Sequence, residues 1–231
     1  MTSKTTRVVL ALDCESLDKA KSLIEVTGGL VDLFKIGPIL FTASGPQAVE
    51  VVRERGKDVF LDLKFHDIPN TVKGAVRSAC SLGVRMLTLH VSGGQEMLEA
   101  ARAGAEEGSR RYESPKPLLI GVTRLTSMQV TEDLDREVAR LARVAFEAGL
   151  DGVVCSAREV ETIKKACGGK LVTVVPGIRL KQDRADDQAR VASPGEAARA
   201  GADFIVVGRS VIRADDPLEK LRLIAEEIKN A

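Results

Sequence analysis

Asp62, Lys64 and Asp67 place three ionisable groups within six residues, at the end of the apolar run Val59–Leu63. Side chains on a strand alternate between faces, so Asp62 and Lys64 point one way while Leu61 and Leu63 point the other. Asp67 falls past the end of the strand, where Pro69-Asn70-Thr71 reads as the start of a helix. Charges at the end of an apolar strand are costly unless paired, so the spacing predicts an ion network. An ammonium fixed among carboxylates can stabilise negative charge developing on a nearby atom and then protonate that atom. The same spacing also suits a purely structural ion pair, so the surrounding elements must decide.

Those elements repeat a single theme. Apolar runs at Val8–Leu12, Leu33–Ile36, Val59–Leu63, Met86–Val91, Leu118–Val122, Gly152–Cys155, Leu171–Val175 and Phe204–Val207 alternate with amphipathic stretches. The stretches are Leu17–Val26, Ala48–Arg55, Thr71–Leu82, Met97–Glu107, Leu134–Ala148, Glu159–Ala166, Glu196–Ala200 and Pro217–Lys229. Eight strand-like runs, each followed by a helix-like one, predict an α/β chain with a parallel sheet. The length of 231 residues favours a (β/α)8 TIM barrel over an open sheet. No internal repeat and no linker rich in Pro, Gly or Ser interrupts residues 1–231, so a single domain is expected.

Barrels of this kind carry their sites at the C-terminal ends of the strands. Read in order, those ends supply Asp13, then Lys35 in Phe34-Lys35-Ile36-Gly37, then Asp62 and Lys64, then His90. The fifth leads into Thr123-Arg124-Leu125-Thr126-Ser127 and the sixth ends at Ser156. The seventh leads to Pro176-Gly177-Ile178-Arg179 and the eighth to Gly208-Arg209-Ser210. A glycine at a strand end before a helix start can aim backbone N–H groups at an anion, and Arg209 can add a bidentate contact. A tight turn with a solvated Arg is the alternative. The polar connection Arg179–Ser193 is long for a compact barrel and reads as a lid, with a solvated loop as the alternative, and Gln188 is able to bridge a phosphate and a base. His66 and His90 lie near the network, but neither is spaced against a nucleophilic Ser, and His66 is expected to face outward or to support.

Composition narrows the classes. With 44% hydrophobic and 29% charged residues and a formal net charge of +1, nothing in the balance calls for nucleic acid or a membrane surface. One Tyr, six Phe and no Trp argue further against an aromatic stacking platform for bases. Cys14, Cys80, Cys155 and Cys167 show no Cys-x-x-Cys spacing, and with two histidines a zinc site is not expected. They read as reduced cysteines in a cytoplasmic protein, Cys14 being a buried filler near the site. The first residues lack a signal peptide's apolar run and cleavage site. Gly28-Gly29 and Gly168-Gly169 read as helix stops.

The run DLKFHDIPNT resembles the signature of the orotidine 5'-monophosphate (OMP) decarboxylases, in their bacterial form. Ala11-Leu12-Asp13, Phe34-Lys35-Ile36-Gly37, Leu125-Thr126-Ser127, Leu150 to Ser156, PGIR, DDQ-x-R and VVGRS follow in that family's order. The resemblance implies conversion of OMP to UMP and CO2 without metal or organic cofactor. It implies Lys64 as the proton donor, Asp62 beside the departing carboxylate, Lys35 on the ribose and the charge network, and Asp13 on a ribose hydroxyl. Thr126 would meet the pyrimidine edge, and Arg179, Gln188, Gly208 and Arg209 the phosphate and lid side. Asp67, Ile68 and Thr71 would reach into a neighbouring subunit's site, which implies a homodimer. Arg124 stands where an uncharged residue is common and is expected to point away from substrate. Related sugar-phosphate barrels, the 3-keto-L-gulonate 6-phosphate decarboxylases and hexulose-6-phosphate synthases, share Asp-x-Lys-x-x-Asp. They use Mg2+ held by an acidic residue where this chain has Lys35. A barrel that only binds a nucleotide is the alternative outside catalysis.

Overall fold

In a computed structural model, residues 5–125, 134–180 and 191–231 are described. Eight parallel strands pair in sequence order and the eighth pairs with the first, so the sheet closes. In chain order the elements are β1 (Arg7–Ala11), α1 (Leu17–Thr27), β2 (Leu33–Ile36), α2 (Pro38–Ser44), α3 (Gln47–Arg53) and β3 (Asp58–Phe65). There follow α4 (Pro69–Cys80), β4 (Met86–His90), α5 (Gln95–Arg111), β5 (Leu118–Val122), α6 (Leu134–Glu147) and β6 (Gly152–Val154). The chain ends with α7 (Val160–Ala166), β7 (Val172–Val175), α8 (Pro194–Arg199), β8 (Phe204–Val207), α9 (Arg209–Ile212) and α10 (Pro217–Lys229). This is the expected (β/α)8 barrel.

Two apolar layers follow from the period of two along each strand. Val9, Leu33, Phe60, Met86, Ile120, Val174, Phe204 and Val206 fill the inside of the barrel. Their sequence neighbours, such as Val8, Leu10, Phe34, Leu61, Leu87, Leu119 and Ile205, pack outward against the helices. The barrel floor is covered where the Arg7 guanidinium sits 4.0 Å from the centroid of the Phe204 ring. Two acids, the exposed Asp32 and the buried Asp203, stitch strand starts together. Asp32 accepts the Val8 N–H at 2.9 Å, and Asp203 accepts both the Thr173 N–H and its hydroxyl, at 2.9 and 3.1 Å.

Most helices lie where the periodicity placed them, with ends shifted by a few residues. Ser193 caps α8 through a reciprocal box with Glu196, and Asp216 caps α10. Gly168 and Gly169, at φ 60 and 68, end the turn after α7, as helix stops should. One helix was not anticipated: α2 begins at Pro38, directly behind the Lys35 strand. The pair α4 and α5 approaches unusually closely. A Cβ at Gly104 would strike the carbonyl oxygen of Lys73, and one at Gly108 would lie 2.7 Å from the Cys80 Sγ. Glu107 on α5 ties the same contact to Lys73 and Arg77 on α4.

Candidate active site

Extending the inward series of each strand by two residues reaches the open end of the barrel. From Val9 and Ala11 the series arrives at Asp13, from Leu33 at Lys35, and from Phe60 at Asp62. From Ile120 and Val122 it arrives at Arg124, from Val174 at Pro176, and from Val206 at Gly208. All six line one cavity of about 310 Å3, together with Lys64, Leu125, Arg179, Arg209 and Ser210. Its size suits a small organic ligand. Two carboxylates and five cations face it: Asp13 and Asp62 against Lys35, Lys64, Arg124, Arg179 and Arg209. An anionic ligand is favoured by that balance.

The acids and lysines form one network. Lys35 Nζ lies 3.1 Å from Asp13 Oδ1 and 3.5 Å from Asp62 Oδ2, while Lys64 Nζ lies 2.8 Å from Asp62 Oδ1. Burial pushes the Asp62 carboxyl up, but the ammonium groups of Lys35 and Lys64, with hydrogen bonds from Lys64 and Thr88, outweigh it and hold Asp62 below the ordinary value. Gly37 leaves room for this arrangement, since a Cβ there would lie 3.0 Å from Lys35 Nζ.

The strand carrying the network is irregular where the network sits. Along β3 and β4, Leu61 is paired with Leu87 and Phe65 with Leu89. Asp62, Leu63 and Lys64 therefore face a single residue, Thr88. Because two residues are extra, the alternation of faces survives, and Asp62 and Lys64 both reach the cavity as their spacing predicts. Lys64 absorbs the bulge in a left-handed conformation, φ 51, which costs a residue with a Cβ on the order of 1 kcal/mol.

Asp67 does not join the network of its own chain. Its Oδ1 accepts the Ile68 backbone N–H at 2.6 Å, and its carboxylate makes no ion pair among the described residues. Asp67, Ile68 and Thr71 are exposed, Ile68 at 67%. Thr126 and Gln188 lie outside the described residues. Arg179 stands at the root of the long connection, where its N–H donates to the Ala192 carbonyl at 3.0 Å.

Arg124 differs from expectation. It lines the cavity instead of pointing away, because it continues the inward series of β5. Its Nε and Nη2 reach Glu137 Oε2 on α6 at 3.0 and 2.7 Å. Sequence reasoning also passed over Thr88, which is fully buried; the inward series from Met86 could have found it. His90, at the end of β4, stacks near the exposed His66 with ring centroids 5.3 Å apart. Burial, followed by His66 and Lys64, holds its imidazole below the ordinary value. Cys14 is buried, and desolvation raises its thiol pKa, in keeping with a filler. Thr123 and Ser156 serve the fold: Thr123 donates to the Val154 carbonyl at 2.9 Å, and the Ser156 N–H donates to Glu159 at 2.7 Å.

A closed parallel barrel whose top face holds a lysine–aspartate network beside a cationic wall defines, in outline, a (β/α)8 barrel enzyme with a site suited to an anionic ligand. Residues 6–224 match the model of the Orotidine 5'-phosphate decarboxylase / HUMPS family, and the chain belongs to that family. A relative from Moorella thermoacetica, named orotidine 5'-phosphate decarboxylase, is 44% identical over 96% of this chain and 92% of its own length. Another of that name, from Syntrophotalea carbinolica, is 45% identical over 97% of this chain and 96% of its own. Among solved structures, orotidine 5'-phosphate decarboxylase from Lactobacillus acidophilus superposes with a TM-score of 0.82 at 32% identity. That match covers 98% of this chain and all of the other.

Proposed function

We propose that this protein decarboxylates orotidine 5'-monophosphate to UMP and CO2, the last step of UMP synthesis, as a carboxy-lyase without a cofactor. The observation that carries the reading is the Lys64 ammonium, 2.8 Å from the buried Asp62 carboxylate and facing a cavity with cations on its opposite wall. Relatives named for this activity, similar over nearly the whole chain, support it.

The chemistry needs these groups. When the C6–carboxylate bond breaks, its electron pair stays on C6 of the pyrimidine and CO2 leaves. An ammonium held against C6 stabilises that pair and donates the proton that forms the C6–H bond of UMP. Lys64 has that role and regains its proton from solvent after release. Asp62 orients Lys64 and lies beside the departing carboxylate. Lys35, between Asp13 and Asp62, keeps the network neutral overall and meets the ribose, with Asp13 on a ribose hydroxyl. Arg209 and Arg179 hold the phosphate with Gly208, Gln188 extends the grip, and Thr126 reads the pyrimidine edge. Binding energy from the phosphate, far from C6, helps to organise the site.

The active unit is a cytoplasmic homodimer. Asp67, Ile68 and Thr71 are exposed, and the Asp67 carboxylate accepts from the Ile68 N–H while Lys64 pairs with Asp62, which suits a contribution to the partner's site across a two-fold axis. No helix among the described residues is long and apolar enough to cross a membrane.

The Mg2+-dependent sugar-phosphate reading fits less well, because the Lys35 ammonium stands between Asp13 and Asp62 where a divalent cation would need those carboxylates. A binding-only barrel has no use for a charge network held at such desolvation cost. The test is an assay of OMP turnover by ultraviolet absorbance on purified protein treated with EDTA. Undiminished turnover supports the reading, whereas no product at any substrate concentration ends it.

A further inference from the structure

Thr88 stands opposite the bulge and touches Lys64 at its backbone and Asp62 at its carboxylate. The Lys64 backbone N–H donates to Thr88 Oγ1 at 2.9 Å, and the Thr88 hydroxyl donates to Asp62 Oδ1 at 2.9 Å. Asp62 Oδ1 in turn accepts the Lys64 ammonium at 2.8 Å. The ring of contacts starts on the backbone of Lys64 and ends on its side chain. One lone pair of the hydroxyl is committed to the Lys64 N–H, so its proton has one direction left, toward the carboxylate. Thr88 is 0% exposed, so water does not compete for either contact.

This arrangement answers a question raised by the strand itself. A left-handed conformation at a residue with a Cβ persists only where its surroundings over-determine it. Three residues of β3 span the space opposite one residue of β4, and that residue supplies the acceptor for the N–H the bulge takes out of the ladder.

We propose that Thr88 is a positioning residue for decarboxylation: its hydroxyl locks the Lys64 backbone into the bulge and simultaneously fixes the oxygen of Asp62 that aims the Lys64 ammonium. The proposal rests on Lys64 being the proton donor. It names a residue that touches no substrate and acts through two that do.

The test compares Thr88→Val, which keeps shape and β-branching but neither hydrogen bond, with Thr88→Ser, which keeps both. In Thr88→Val the ammonium is displaced from its line to C6, and kcat falls on the order of a hundredfold. KM and UMP affinity change little, since the phosphate grip lies on other strands. Thr88→Ser restores kcat to near wild type. Equal loss in folded Val and Ser variants, or a Val variant with wild-type kcat, overturns the proposal. If Thr88→Val does not fold, Thr88→Ala replaces it in the same comparison; if neither folds, Thr88 is a structural residue and the assignment falls. Lys64→Ala run alongside separates the two readings. An active Lys64→Ala removes the proton donor itself, whereas an inactive Lys64→Ala beside a fully active Thr88→Val removes only the role of Thr88.

Discussion

The two halves of the barrel mouth are built on opposite plans. On strands β1 to β4, Asp13, Lys35, Asp62, Lys64 and Thr88 are bound to one another, so that charge is balanced within the chain and each group has a fixed partner. On strands β5 to β8 the cavity is lined by Arg124, Arg179 and Arg209, with no acid among the described lining residues of that wall. The first half is knit into one network of short contacts on neighbouring strands, and the second lines the cavity with three guanidinium groups, of which Arg124 is tied from outside the barrel by Glu137 on α6. Bond breaking needs fixed geometry, whereas capture of a phosphate needs field and reach. Acids and lysines alternate within the first wall, whereas guanidinium groups alone line the described part of the second, so the two tasks differ in which charges face the cavity.

The largest effect belongs to the first half. Lys64→Ala should lower turnover by about ten-thousandfold or more while UMP, which needs no proton donor, still binds in calorimetry. Near-native turnover would move the donor elsewhere and leave the half-by-half contrast without a chemical meaning. Next comes the complementation that tests whether the first half is finished within one chain. Lys64→Ala mixed with Asp67→Ala under free exchange should recover about one quarter of wild-type activity, because half the dimers are mixed and each has one intact site of two. Exchange without recovery would keep Asp67 in its own subunit's site.

Arg209→Ala probes the other half. It should act chiefly through KM, lowering kcat/KM on the order of ten- to a hundredfold, as loss of a charge-assisted contact worth about 1.5–3 kcal/mol would. A change in kcat alone would blur the contrast. Glu137→Gln should be milder still. Both partners of the Arg124–Glu137 pair are about one-third exposed, at 35% and 33%, so screening holds the effect on KM to within about fivefold.

A stability measurement sharpens the same line from another side. The His90 imidazole, held below its ordinary value of 6.5 in the fold, takes up a proton more readily in the unfolded chain. Between those two values the unfolded state binds more protons, so stability falls as pH drops below 6.5 and through the folded value. His90→Asn should flatten that slope in urea titrations across the window. An unchanged slope would assign the acid sensitivity to another group.

The barrel was legible because eight apolar runs of strand length each precede an amphipathic stretch, and parallel pairing demands such crossovers. The charges at strand ends were legible for a related reason: Asp13, Lys35, Asp62 and Lys64 interrupt apolar runs where no solvated face is available. Helix α2 was missed because PILFTAS is only seven residues of mostly apolar character, too short to show a helical period. Arg124 was misjudged by its charge, although its parity with Ile120 and Val122 pointed inward. Thr88 was silent because a threonine in MLTLH is an ordinary strand former. Its role arises only from the offset between β3 and β4, a long-range property that no local window contains.

The close contact of α4 and α5 carries a consequence for how substitutions in this protein will be interpreted. Helix α4 begins at Pro69, directly after the exposed Asp67–Ile68 turn, and its separation from α5 is set by Gly104 and Gly108. Enlarging either glycine pushes α4 outward and carries that turn with it. A screen that scores variants only by growth or turnover would then rank Gly104 beside residues of the reaction centre, although it touches nothing there. Sedimentation of the purified variant would tell the two apart, since in the proposed dimer a displaced turn loosens assembly while a damaged centre leaves it intact.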